Sequence, residues 1–190
     1  MAAVRTLAGS VIYWHIEGSL GSLVRGRLTL KYVTSRLQIM TEISPFGVRR
    51  AAFIHATPER VWEEFTSHER MKAWYGTGHE LTRYEPRVGG TVETRFGDGP
   101  LYARGDVLVF EGGRELTFEQ RWIGPDWTGR EWAAPAKVTI LLTEAAGGTL
   151  VELFHHGYDL LGGDPADYLS GFEGGWDTHH LDALASLVAA

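Results

Sequence analysis

Short strand-like runs separated by glycine-rich turns are the feature that most limits the possible folds of this chain. Six such runs follow one another between residues 79 and 158, with turns such as "RVGG", "GDGP" and "AAGG" between them. The run "VRRAAFIHA" at residues 48–56 makes a seventh predicted strand. Because tight glycine turns favour hairpins, the pattern predicts a mostly antiparallel sheet of seven strands.

Two short helices are predicted after the first strand. In "ATPERVWEEFTSHERMKAWYG", at residues 56–76, a Thr-Pro pair and Ser67 are suited to begin helices. The aromatic residues of this segment recur at helical spacing, which predicts that Trp62 and Phe65 lie in the core.

The C-terminal residues predict one long helix. It begins at Asp164 and Pro165, a cap followed by a residue that fits the first turn, and the pair Gly174 and Gly175 interrupts it. Its large apolar residues recur at helical spacing: Phe172, Trp176, Leu184 and Leu187. Since an antiparallel sheet has to bury one face, this helix is the expected cover, and the fold class is α+β.

Charge and composition exclude several classes of function. The net charge of −6 disfavours binding to nucleic acid, and no apolar run approaches the roughly 18 residues that span a membrane. The absence of cysteine excludes disulfides and thiol catalysis, and it fits a cytoplasmic location. No motif indicates a metal or another cofactor, since the histidines lack the spacing of metal ligands.

The first 39 residues differ from the rest of the chain. They hold five basic residues and one acidic residue, whereas residues 40–190 carry a net charge of −10. We interpret residues 1–39 as an N-terminal extension, either a flexible leader or a wrongly assigned start, and residues 40–190 as the domain. Met40 would be a plausible start, although "RLTLKYV" at residues 27–33 alternates like a strand.

Five motifs in order resemble the heat-shock-protein-90 ATPase activator homologue family. They are "ATPERVWEEFTSHERMKAWYG", "PRVGGTVETR", "GDVLVFEGGRELTFEQRW", "KVTILLTEAAGGTLVELFHHG" and "GGWDTHHLDAL". The resemblance covers about residues 47–188 and implies the helix-grip fold of the START-like, or SRPBCC, superfamily. In that fold a seven-stranded antiparallel sheet curves around a long C-terminal helix, with two short helices after the first strand. The superfamily includes lipid carriers, hormone receptors, polyketide cyclases, self-sacrificing resistance proteins and co-chaperone domains, so the resemblance implies the fold more sharply than the function.

Strand parity predicts which side chains face the helix. Inward faces of neighbouring strands carry a mostly apolar set, namely Phe96, Phe118, Gln120, Trp122 and His155. Trp74 and Tyr75, at the end of the second short helix, are expected at the mouth of the same cavity. Together these seven residues predict a site for a small hydrophobic or aromatic molecule, with no catalytic residue.

Several alternatives stay open at the level of sequence. His155 is either a hydrogen-bonded core histidine or the acid/base of an enzyme of the cyclase or hydrolase kind, assisted by Asp106 or Glu85. A further alternative, which the family name implies, is a module that binds a chaperone. The inward-facing residues would then form a filled core without a cavity. The tryptophans of the long loop at residues 124–135 either form a lid or fold back onto the core. His179 and His180 are expected on a solvated helix face.

Overall fold

The computed structural model describes residues 4–7, 10–13, 46–76, 78–97, 102–176 and 179–189. It divides into two units, residues 1–38 and residues 39–190. In the first unit, β1 (Val4–Leu7) pairs with β2 (Ser10–Tyr13) as an antiparallel hairpin. The run predicted as a strand at residues 27–33 lies outside the described residues.

The second unit contains all the other elements. Its strands are β3 (Gly47–Ile54), β4 (Glu80–Tyr84), β5 (Thr91–Arg95), β6 (Tyr102–Glu111), β7 (Glu115–Trp122), β8 (Ala136–Ala145) and β9 (Gly148–His156). Its α-helices are α1 (Pro58–Trp62), α2 (His68–Tyr75), α3 (Pro165–Gly175) and α4 (His179–Ala189). Two short 3₁₀ helices, Glu63–Phe65 and Tyr158–Leu160, complete the set.

The seven strands form one antiparallel sheet in the order β3-β9-β8-β7-β6-β5-β4. The sheet curves around the C-terminal helical segment, and the two short helices follow its first strand, so the predicted α+β helix-grip fold is confirmed. Strands β4 to β9 pair with their sequence neighbours, whereas β3 pairs with β9 at the far end of the chain. Among the described residues, no helix is long and apolar enough to cross a membrane.

Side-chain caps begin the helices where the sequence predicts them. The side chain of Thr57 accepts a hydrogen bond from the backbone N–H of Arg60, and that of Ser67 accepts one from Arg70. Asp164 caps α3 in the same way, through the N–H of Ala166. These caps fix where each helix starts, and therefore which residues it turns toward the sheet.

The C-terminal helical segment is divided at Trp176. Helix α3 ends at Gly175, and Trp176 has the non-helical dihedrals φ −102° and ψ 63°. The interruption predicted at the glycine pair is therefore present, and it separates α3 from α4. The indole of Trp176 is buried at this break, where it contacts Tyr75 and His155.

The core fills the space between the sheet and the helices. Trp62 stacks on Phe65 with a ring-centroid distance of 5.3 Å, and both are buried, as predicted. Trp74 is also fully buried, since its ring meets Phe65 and its Nε1 donates to the backbone oxygen of Glu64.

An ionic cluster fastens the short helices to α4. The guanidinium of Arg60 donates to Glu64 at 2.7 Å and to the backbone oxygen of Leu187 at 3.0 Å. Arg70 contacts the same carboxylate at 3.1 Å. Because Leu187 lies in the last turn of α4, where carbonyl groups lack helical partners, Arg60 both caps this helix and joins it to α1.

Candidate functional site

A pocket of about 450 Å³ lies where α2, the sheet and the C-terminal helices meet. Its wall combines aromatic rings, histidines and glycines: Tyr75, Gly78, His79, Phe96, Gln120, Phe172, Gly174, Gly175, Trp176, His179 and His180. This volume is within the usual range for small-molecule sites.

Small residues on the neighbouring strands leave room around Gln120. On β8 its direct partner is Ala136, and on β6 the inward positions closest to it are Ala103 and Gly105. At Gly105 a Cβ atom would lie 2.0 Å from the backbone oxygen of Glu119, so only glycine fits there. Gln120 is thus buried between strands whose neighbouring residues have little side-chain bulk, and it lines the pocket.

A row of rings forms one side of the pocket. Phe96 stacks on His79 at a centroid distance of 5.4 Å, and His79 stacks on His180 at 5.5 Å. Behind Phe96 lies Trp122, at 4.5 Å. Tyr75 meets His79 edge-on at 5.1 Å, so the imidazole of His79 is held on three sides. Such packing fixes the ring faces that the pocket presents.

Two polar atoms of the pocket wall are buried without a partner. Gln120 Oε1 and His79 Nε2 have no hydrogen-bond partner among the described residues. Burial, followed by the nearby His180, lowers the pKa of His79 to about 4, so its imidazole is neutral at pH 7. A buried polar atom without a partner costs about 1–3 kcal/mol, and it is a place where a bound molecule can form a hydrogen bond.

The structure brings only part of the predicted site to the pocket surface. Tyr75, Phe96 and Gln120 line the pocket, whereas Trp74, Phe118, Trp122 and His155 do not belong to its wall. Phe118, Trp122 and His155 face inward, as strand parity predicts, and all three are buried. Other side chains cover them, as Phe96 does for Trp122.

His155 is a core histidine. Its Nδ1 accepts a hydrogen bond from Trp176 Nε1 at 2.8 Å, and the ring of Phe172 lies 4.3 Å away. Burial, and to a smaller extent His156, lowers the pKa of His155 to about 3. A fully buried imidazole of such low basicity lacks the solvent access and the proton affinity of a general base at neutral pH.

The carboxylates considered as partners of His155 lie elsewhere. Glu85 pairs with Arg83 and Arg87. Asp106 is exposed on β6, opposite Thr91. Among the described residues, neither carboxylate forms a hydrogen bond or an ion pair with His155.

The sequence analysis missed His79, His180 and the residues of α3 in the pocket wall. The expectation of a solvated helix face is right for His179, which is exposed, and wrong for His180, which is buried against Trp176 at 4.9 Å. Because the chain leaves the helical conformation at Trp176, helical spacing could not predict on which side His180 lies. No group of three or more His, Cys, Asp or Glu in the described part of the chain could hold a metal ion.

The long loop before β8 rests on α3. Trp132 is buried and its Nε1 donates to Asp126 Oδ2 at 2.7 Å, so it folds back onto the core. Trp127 is 44% exposed and lies against Gly171, where a Cβ atom would come within 2.6 Å of the indole. The expectation that the tryptophans fold back onto the core is therefore right for Trp132, whereas Trp127 packs on Phe172 of α3 and does not line the pocket. Asp126 also accepts hydrogen bonds from Thr128, which fixes the turn of the loop.

Comparison with solved structures shows the same fold in several bacterial proteins. Protein MLL2253 from Mesorhizobium loti is 20% identical and matches with a TM-score of 0.61 over 75% of this chain and 96% of its own. Protein CV1439 from Chromobacterium violaceum is 22% identical, with a TM-score of 0.56 over 77% of this chain and 99% of its own. DynU16, from the dynemicin biosynthetic locus, is 22% identical, with a TM-score of 0.57 over 76% of this chain and 47% of its own.

Comparison of sequences identifies the family. No curated protein sequence matches this chain. The family model described as activator of Hsp90 ATPase homolog 1-like protein matches residues 55–189. That range includes both short helices, strands β4 to β9 and the whole C-terminal segment, and with it every residue of the pocket wall. Since the match covers well over half of its length, the chain belongs to the activator of Hsp90 ATPase homolog 1-like family.

Proposed function

We propose that this protein binds a small aromatic or hydrophobic molecule in the pocket between the sheet and the C-terminal helices. The observation that carries the proposal is a pocket of about 450 Å³ with aromatic walls in which two buried polar atoms, Gln120 Oε1 and His79 Nε2, have no partner among the described residues. Apolar pockets with a few polar groups are typical of small-molecule sites.

The family name allows two kinds of partner, a small molecule and a chaperone. A chaperone would bind through exposed surface, and its binding would need neither the pocket nor its two buried polar atoms. The pocket therefore favours the small molecule. The proposal invokes no catalytic residue and no cofactor, and the absence of cysteine supports a cytoplasmic location.

The pocket wall offers a substitution that narrows the site without removing a core side chain. A Cβ atom added at Gly175 meets no atom within 4 Å. Gly175 does not have a positive φ, so leucine at this position causes no backbone strain. The matched control is Glu173→Leu, on the exposed surface of the same helix.

The test is a binding screen with neutral aromatic probes such as 2-naphthol and indole, read by ligand-observed NMR and by thermal shift. At a hundredfold excess over its Kd, a bound probe stabilises the protein by about 2.7 kcal/mol. We expect Gly175→Leu to weaken binding about tenfold, and Glu173→Leu to leave it unchanged. If no probe binds, or if both variants bind like wild type, the pocket is not the binding site and the chaperone-binding alternative replaces this proposal.

A further inference from the structure

We propose that the ligand of this pocket is an electrically neutral aromatic molecule that donates a hydrogen bond to Gln120 Oε1. This inference rests on the proposed function and narrows its ligand class. It follows from the charge of the pocket wall, the orientation of the neighbouring charged residues and the hydrogen-bonding capacity of Gln120.

The described pocket wall contains no lysine, arginine, aspartate or glutamate. His79 stays neutral at pH 7 because burial lowers its pKa to about 4. A carboxylate or ammonium group would lose its hydration in the pocket, and the described pocket wall offers it no lysine, arginine, aspartate or glutamate as an opposite charge. Such unpaired burial costs several kcal/mol in real proteins, so a charged ligand is selected against.

Two charged residues next to the pocket wall in sequence, Glu80 and Arg121, are engaged elsewhere. Glu80, which follows His79, contacts Lys72 and Arg95. Arg121, which follows Gln120, donates to the backbone oxygen of Trp132 at 2.9 Å. Since neighbouring residues in a strand point to opposite faces, these charges do not compensate an ion in the pocket.

Gln120 supplies the directional contact. Its Oε1 is buried and has no partner among the described residues, and its strand neighbour Ala136 is too small to cover it. An amide oxygen only accepts hydrogen bonds. The ligand group complementary to this oxygen is therefore an O–H or N–H donor.

The rings of the wall select a planar ligand. Tyr75 stands edge-on to His79, with an interplanar angle of 86°, and it contacts Trp176 at 62°. Ring faces and ring edges are thus both fixed around the pocket, and aromatic pairs in such arrangements gain about 0.5–1.5 kcal/mol beyond the area that they bury. The ligand class is a phenol or an indole-like N–H heterocycle.

The test compares three probes with the same ring system at neutral pH. 2-Naphthol is neutral and carries a donor, 2-methoxynaphthalene is neutral and lacks one, and 2-naphthoate is an anion. We expect 2-naphthol to bind about tenfold more tightly than 2-methoxynaphthalene, the factor that corresponds to about 1.4 kcal/mol. We expect 2-naphthoate to bind at least about a hundredfold more weakly than 2-naphthol.

Gln120→Leu removes the acceptor at nearly constant size. It should bring the affinities of 2-naphthol and 2-methoxynaphthalene within about twofold of each other. Glu119→Gln, on the opposite face of the same strand, should preserve the wild-type ratio. If Gln120→Leu does not fold, the side-chain amide NMR signal of Gln120 in the wild-type protein is the second readout. Both probes shift it through their ring currents, and at saturation the shift with 2-naphthol should be the larger, because only 2-naphthol donates to Gln120 Oε1; equal shifts overturn the donor.

The outcomes separate this inference from the proposed function. If 2-naphthol and 2-methoxynaphthalene bind the wild type equally well, the inference that the ligand donates a hydrogen bond to Gln120 is overturned. If 2-naphthoate binds as tightly as 2-naphthol, the inference that the ligand is neutral is overturned. In both cases the pocket still binds small molecules, so the proposed function stands. If none of the three probes binds, the proposed function itself fails.

Discussion

Buried histidines make the stability of this protein depend on pH. Burial is the main cause that lowers the pKa of His155 to about 3, and those of His79 and His156 to about 4. In the unfolded chain these groups have pKa values near 6.5. Below that pH the unfolded state binds protons that the folded state does not, so stability is lost as the pH falls from about 6.5 toward about 3.

His155→Gln should reduce this pH dependence. Each buried histidine lowers the free energy of unfolding by up to about 1.4 kcal/mol per pH unit in that range, and glutamine does not titrate while it can still accept from Trp176. Urea unfolding at several pH values between about 7 and about 4.5 measures how steeply the free energy of unfolding changes with pH. The control is His55→Gln at an exposed position. A variant slope equal to that of the wild type would mean that His155 is protonated in the folded protein.

Glu64 and Glu63 test the ionic cluster on α1 as a matched pair. The Glu64 side chain is 6% exposed between Arg60 and Arg70, whereas that of Glu63 is 55% exposed and lies 3.3 Å from Arg60. Because both arginines remain partly solvated, we expect Glu64→Gln to cost about 1–2 kcal/mol of stability, and Glu63→Gln less than about 0.5 kcal/mol. Chemical denaturation of both variants gives the comparison, and equal losses would contradict the burial of Glu64.

Among the elements, the break between α3 and α4 has the largest effect on the site. It places the indole of Trp176 between the pocket and the core, where its Nε1 donates to His155 Nδ1. It also changes the rotation of α4 relative to α3, so that His180 points inward.

Trp176→Ala should cost roughly 3–5 kcal/mol, the range for removing a buried aromatic side chain. Trp176→Phe keeps most of the volume but leaves His155 Nδ1 without its donor, so we expect a smaller loss of about 1–2 kcal/mol. Thermal and urea unfolding of both variants measure these losses. If Trp176→Ala melts like the wild type, the indole lies on the surface and the packing described at the break is wrong.

A helix or strand could be predicted from the sequence where its apolar residues follow one regular spacing along the whole element. Glycine turns and the two-residue period of strands predict the sheet, and parity turns Phe96 and Gln120 inward, where both line the pocket. Parity also turns Phe118 inward, but it cannot tell that Tyr75 packs against that ring. His180 was missed because helical periodicity does not continue across a break, and the phase of α4 is set by tertiary packing.

In the second unit, the aromatic cluster of the short helices and the pocket are separate parts of the space between the sheet and the helices. Helix α1, the 3₁₀ helix Glu63–Phe65 and helix α2 supply the buried cluster of Trp62, Phe65 and Trp74, none of which lines the pocket. Tyr75, Phe172 and Trp176 form the boundary, since each belongs to both the core and the pocket wall. Substitutions on the pocket side of this boundary can therefore change the shape of the pocket while most of the core stays intact.

The two outermost strands of the sheet give the domain unequal protection against aggregation. Strand β4 has only five residues and an irregular register between Leu81 and Arg83, and short, irregular edges resist the addition of a foreign strand. Strand β3 is longer and pairs regularly along its whole length, and its Phe53 is exposed. Its charged residues, Arg49 and Arg50, are held by Glu152 and by the backbone oxygen of Glu173. Intermolecular strand pairing would therefore begin at β3, and these two arginines are the residues that oppose it.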